Sequence, residues 1–272
     1  LERMYKLFGR VKTGSKELQQ GISEYIKDCG KAINTSASVA PSADGTEKGA
    51  GPGVAEAIRW VQDVLDLKDR FNDILINAFA REKAFETAFN AAFETFINKN
   101  PKAPEFISLF IDDKLKKGFR GKSDDEVDTV LSKTTTLFRF LSDKDIFERY
   151  YKQHLANRLL HGRSLSDEAE RGMITKLKIE CGFQFTSKLE GMFTDMKLSE
   201  DTMSDFKSAQ DQARATTPFE LSTTVLTSTF WPVPSTPTPC NYPPEFLRAQ
   251  EVFERFYTSR HNGRKLTWHC TM

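Results

Sequence analysis

Four cysteines in 272 residues are too few and too scattered for a disulfide framework. Cys29, Cys181, Cys240 and Cys270 stand far apart with no CxxC pair among them, a usage that suits free thiols in a reducing compartment. No run of about eighteen apolar residues is available to span a bilayer, and the N-terminus lacks the apolar core of a signal peptide. Charge of one sign is missing too: 39 lysines and arginines nearly cancel 38 aspartates and glutamates. The overall field therefore gives no basis for a nucleic acid or a membrane surface as partner. There is no glycine-rich phosphate loop and no nucleophile elbow. These absences predict a protein of the cytoplasm and nucleus without catalytic residues, cofactor or metal.

What the sequence does contain is helix. A hydrophobic fraction of 39% with 28% charged residues is ordinary for a folded chain, and the length allows two or three domains. The most informative stretch is 142–196, where Ser142 and Ser166 stand at N-cap positions and Gly162 and Gly182 at helix ends. Phe147, Tyr150, Tyr151, His154, Leu155 and Leu159 form one apolar stripe there, and Leu189, Met192, Phe193 and Met196 another.

Two helices fit residues 1–32. The segment 34–53, NTSASVAPSADGTEKGAGPG, is so poor in apolar side chains that it reads as a flexible insertion in a surface loop. Two further helices follow, one carrying Trp60, Val61, Val64, Leu65, Phe71, Leu75 and Ala78. The other has a phenylalanine stripe, Phe85, Phe89, Phe93 and Phe96, whose simplest use is packing inside its own bundle. A helix from about Glu105 towards Lys117 leads to a turn-rich hinge at 116–125, the expected first domain boundary. Helices over about 123–142, 144–160, 167–181 and 187–196 make an antiparallel four-helix bundle.

After Pro218 the period changes. Phe219, Leu221, Thr223 and Val225 alternate in FELSTTVLTSTFWP, which predicts a strand. Pro244 suits the first turn of a helix bearing Phe246, Ala249, Phe253, Phe256 and Tyr257. Leu266, Trp268, Cys270 and Met272 alternate with polar residues, which predicts a second strand.

The residues able to carry chemistry have simpler uses. Cys181 could be a nucleophile, but it ends a helix whose apolar face includes Met173, Ile174 and Leu177, so a packing role is expected. His154 and His161 are too far apart for adjacent-turn metal ligands. Cys240, His261, His269 and Cys270 are zinc-ligand types, yet His269 and Cys270 point to opposite faces of a strand. Asp124-Asp125-Glu126 and Asp167-Glu168 begin helices, where the macrodipole favours negative charge, and Asp112-Asp113 is a further acidic pair. Lys152, Arg158, Arg163, Lys176, Lys178 and Lys188 are spaced to form a basic stripe, whose plain reading is a solvated face.

The words YYKQHLANRLL and ITKLKIECGFQFTSKLEGMFTDM, with LERMYKLFGRV and LFIDDKLKKG upstream and VLTSTFWP and KLTWHCTM downstream, resemble the cullin family, scaffolds of RING ubiquitin ligases. The likeness covers essentially the whole chain outside the 34–53 insertion, and is strongest to the branch that works with BTB-domain adaptors. It implies a mainly α fold: the last cullin-type helical repeat over 1–120, the four-helix bundle over 121–215, and the truncated start of a small α/β domain over 216–272. It implies a scaffold that makes no covalent bond itself. BTB-domain substrate adaptors would bind through a region outside this chain, a RING-box subunit on the α/β domain, and a ubiquitin-conjugating enzyme indirectly; cullin regulators are further partners, for which the basic stripe is a candidate surface. In the family the RING-box subunit adds a strand to the cullin sheet, so Leu226, Trp231, Leu266 and Trp268 are expected in or beside that contact. The alternative is a non-catalytic helical adaptor that binds no RING subunit.

Overall fold

A computed structural model describes residues 1–39, 52–118, 121, 123–213, 219–233 and 241–269. It contains the helices α1 (Glu2–Phe8), α2 (Gly14–Val39), α3 (Pro52–Phe79), α4 (Lys83–Ile97), α5 (Ala103–Asp113), α6 (Asp124–Arg139), α7 (Lys144–Leu160), α8 (Asp167–Cys181), α9 (Phe183–Ala213) and α10 (Pro244–Arg260). One π-helical turn, Lys114–Gly118, continues α5. The contacts group the chain into two compact units, Leu1–Phe185 and Thr186–Met272.

In the first unit the main packing pairs are helices two apart along the chain: α2 with α4, α3 with α5, α5 with α7 and α6 with α8. This follows from amphipathic helices joined by short turns, because each must bury an apolar stripe and its immediate neighbour only partly covers it. The phenylalanine stripe of α4 packs within its own bundle, as expected, with Phe85, Phe89, Phe93 and Phe96 all buried. Phe79 stacks on Phe85 at 4.3 Å, and Phe71 meets Phe89 edge-on at 5.7 Å. Burying each such ring contributes about 1.5–3 kcal/mol.

Local signals set the helix ends. Ser123 closes a capping box with Glu126 at the start of α6, and Ser166 accepts from Glu168 N–H (3.1 Å) and Ala169 N–H (3.4 Å) to start α8. Gly162, at φ +57°, ends α7 in a Schellman arrangement: Arg163 N–H donates to Arg158 C=O (2.9 Å) and Gly162 N–H to Leu159 C=O (3.3 Å). Ser142, however, is not the cap of α7. Asp143 holds that position without a side-chain bond, and Ser142 N–H donates instead to Asn98 Oδ1 at 2.9 Å.

The structure revises further expectations. Residues 34–39, read as part of a loop, are the last turns of α2. Asn34 explains this: its amide donates to Phe96 C=O (3.0 Å) and its Oδ1 accepts from Trp60 Nε1 (2.8 Å), tying the helix to α4 and α3. Of the rest of that segment, 40–51 lies outside the described residues and 52–53 begin α3. The helix expected to stop near 196 instead runs unbroken to Ala213. No paired strand occurs among the described residues, although 219–231 and 264–269 lack helix; Cys270 and Met272, part of the second expected strand, lie outside the described residues.

Candidate functional site

In the second unit, the segment 219–231 lies along α9. Thr223 Oγ1 donates to Met203 Sδ (3.5 Å), Val225 N–H to Ser199 Oγ (2.8 Å), and Thr227 N–H to Asp195 Oδ2 (2.7 Å). A Cβ on Gly191 would come 2.6 Å from the Phe230 ring, so that ring lies directly on the helix backbone. Gly191, Asp195, Ser199 and Met203 are spaced by four and line one helix face, while their partners recede along the chain. The spacings agree: four helical residues rise about 6.0 Å, and two extended residues about 6.6 Å.

Asp195 is the anchor of this arrangement. Besides Thr227 N–H it accepts Thr227 Oγ1 (2.9 Å) and Trp231 Nε1 (2.9 Å), and it is almost wholly buried. The period-two pattern was therefore legible, but its partner is a helix. Side chains of α9 take the N–H groups of Val225 and Thr227 where a neighbouring strand would have taken them. On the opposite edge, Thr224 N–H and Leu226 N–H have no hydrogen-bond partner among the described residues. An extended backbone with one edge satisfied and the other open is the geometry that accepts an added strand.

The four residues singled out from sequence are not equivalent. Trp231 is buried and bonded to Asp195, so it holds the segment in place. Leu226 is half-buried and alternates with Val225 and Thr227, away from the α9 contacts. Leu266 and Trp268 are half-buried and pack on a core of Phe206, Leu221, Ala249, Phe253 and Tyr257, with Trp268 edge-on to Phe253 at 6.0 Å. Asp195 and Ser199 were missed by sequence reasoning. Their signal was two polar residues four apart, running on from Gly191 beside the apolar stripe of Leu189, Met192 and Phe193.

The first unit holds a buried charge cluster that was also missed. Arg158 of α7, wholly buried, donates to Glu170 of α8 from Nε (2.5 Å) and Nη2 (2.9 Å), and to Asp112 Oδ1 of α5 from Nη1 (2.6 Å). Ser164 adds a bond to Glu170 (2.6 Å), Lys116 one to Asp112 Oδ2 (2.6 Å), and Leu165 N–H one to the π-turn carbonyl of Leu115 (3.0 Å). Burial works against the charge of Arg158, but the hydrogen bonds and charge of Glu170, with Asp112, hold the guanidinium above its ordinary value. Arg158 thus does not belong to a solvated basic stripe, and Lys176 is paired with Asp128 at 2.8 Å. Cys181 is half-buried at the end of α8, and burial pushes its thiol up, away from nucleophilic character. No group of three or more His, Cys, Asp or Glu side chains suited to a metal ion occurs among the described residues, and no described helix is long and apolar enough to cross a membrane.

Residues 1–203 match the family model of the cullin alpha solenoid domain, and residues 225–272 that of the cullin alpha+beta domain. The chain belongs to the cullin family. It is 50% identical over 272 residues to Cullin-3 of Dictyostelium discoideum and 45% identical to Cullin-3A of Arabidopsis thaliana, in each case over 100% of the chain. Cullin-4A of Mus musculus is 44% identical over 273 aligned residues. The chain spans 33%, 35% and 34% of the lengths of these cullins, about a third of each. The segment clamped by Asp195 and the terminal segment with Leu266 and Trp268 fall where the cullin alpha+beta model matches.

Proposed function

We propose that this cullin chain is part of the scaffold of a cullin–RING ubiquitin ligase, and that its second unit docks a RING-box subunit along the open edge of 223–227. One observation carries the reading: Asp195 and Ser199 fix the segment through alternate N–H groups, while those of Thr224 and Leu226 have no partner among the described residues. Preorganised in this way, an added strand would gain main-chain hydrogen bonds without first ordering the acceptor segment. The scaffold makes no covalent bond. It raises the effective concentration of a substrate lysine near a ubiquitin thioester held by the conjugating enzyme. Substrates would arrive on BTB-domain adaptors, as the similarity to cullin-3 proteins suggests, in the cytoplasm and nucleus. The packed helices of the first unit supply rigid length to the scaffold.

The test is co-purification of this cullin, with its α/β domain completed, and a RING-box subunit, together with discharge of ubiquitin from a loaded conjugating enzyme. Co-elution with discharge supports the scaffold. A folded, monodisperse chain that ignores the RING-box subunit would sink it and favour a helical adaptor.

A further inference from the structure

The charge cluster at the end of α5 encloses a histidine that its close ion pairs do not use. His154 lies on α7, one turn before Arg158. Its Nδ1 is 3.9 Å from Asp112 Oδ2, beyond hydrogen-bond distance, and its Nε2 is buried with no hydrogen-bond partner among the described residues. The hydroxyl of Tyr151, a turn earlier, is in the same situation. Around them stand Asp112 from α5, Lys116 from the π turn, Arg158 from α7 and Glu170 from α8.

The charges in this cluster already balance. Asp112 and Glu170 carry two negative charges, Arg158 and Lys116 two positive, and both oxygens of Asp112 are taken, Oδ1 by Arg158 and Oδ2 by Lys116. A proton on the imidazole would add a third cation whose neighbouring carboxylate, Asp112, is already bonded to both Arg158 and Lys116, in a place that water reaches poorly. It would compete with Lys116 for Asp112 Oδ2 and repel Arg158. The elements so disturbed are those the cluster joins: the end of α5 with its π turn, the last turns of α7, and the connection into α8.

We propose that this cluster is a proton-sensitive joint, closed while His154 is neutral and loosened when His154 takes a proton. Burial, the leading cause, with Arg158 and Lys116 outweighs the pull of Asp112 and holds the imidazole below the ordinary histidine value of 6.5. The sign follows from linkage. A histidine depressed in the folded state binds its proton more readily once the joint opens, so stability is complete above the unfolded value, falls as pH drops through it, and levels off below the folded one. The joint rests on the packing of the first unit and is independent of RING binding.

The test is hydrogen exchange of the whole chain, corrected for intrinsic rates, at about pH 7.5 and about pH 5.5, on either side of the ordinary histidine value. The Leu165 amide, bonded to Leu115 C=O, is the reporter. The wild-type chain should lose protection there several-fold at the lower pH, whereas His154→Gln, which cannot take the proton, should not. Equal losses in the two proteins would overturn the proposal. Should His154→Gln fail to fold, NMR titration of the wild-type imidazole decides: Leu165 protection that falls in step with His154 protonation upholds the joint, and protection lost out of step with it, or a His154 value at or above 6.5, refutes it.

Discussion

Arg158 meets Glu170 through two hydrogen bonds, of 2.5 and 2.9 Å, with neither side chain exposed to solvent. With Asp112 as the second acceptor, one guanidinium ties together α5, α7 and α8. Removing it leaves Glu170 buried with only the Ser164 hydroxyl beside it, and Asp112 with only Lys116. Arg158→Ala should destabilise the chain by about 3–5 kcal/mol, read as a shift in the urea midpoint of far-ultraviolet circular dichroism. Replacing all three partners by apolar residues of similar volume should recover most of that loss, since the one charge then left without its partner, Lys116, is partly exposed to solvent. A triple variant as unstable as the single one would show that packing around Arg158, and not its charge, sets the cost.

A second prediction concerns Gly30 and Phe96. A Cβ on Gly30 would lie 2.1 Å from Phe96 Cγ, so only glycine lets α2 approach α4 this closely. Gly30→Ala should cost about 1–3 kcal/mol by overpacking. Adding Phe96→Leu should return part of it, and a double-mutant cycle in thermal unfolding measures the coupling. Additive losses would count against the contact.

The turn from α3 to α4 places Ala80 and Arg81 at φ +49° and +57°, two successive non-glycine residues in the left-handed region. Both are exposed, so little packing is at stake. Arg81→Gly should therefore stabilise by roughly 0.5–1 kcal/mol, the relief of left-handed strain less the added entropy of the unfolded chain. Differential scanning calorimetry would detect a rise in Tm; a fall would mean that the Arg81 side chain supports the turn.

The limits of the sequence reading have physical causes. Helices were legible because an apolar stripe is a local pattern and capping residues mark its ends. Arg158 was not, because its charge has the same sequence spacing as solvated lysines, and its acceptor Asp112 is 46 residues away. Residues 34–39 read as loop because serine, threonine and alanine carry no apolar period, yet one asparagine bridging Trp60 and Phe96 keeps them helical. In 219–227 the alternation was real, but alternation reports which side chains are covered, not whether a strand or a helix covers them. Asp195, a carboxylate beside an apolar stripe, was the overlooked clue.

The docking edge yields the most discriminating prediction, because two neighbouring residues on it should fail in different ways. Trp231 is buried and bonded to Asp195, whereas half-buried Leu226 alternates away from the α9 contacts. Trp231→Ala should destabilise the second unit by about 3–5 kcal/mol, as large aromatic truncations do, and weaken RING-box binding only as a consequence. Asp195→Ala should act likewise by leaving Thr227 and Trp231 without their acceptor, at about 1.5–3 kcal/mol for bonds to a charged group. Leu226→Asp should leave the thermal transition close to wild type and lower RING-box co-elution, because it places a charge beside the open strand edge. The comparison needs both readouts, Tm and co-elution, for every variant. If Leu226→Asp binds the RING-box subunit as well as wild type while Trp231→Ala and Asp195→Ala lose binding only in proportion to stability, the added strand does not pair along 223–227, and the contact belongs with Leu266 and Trp268.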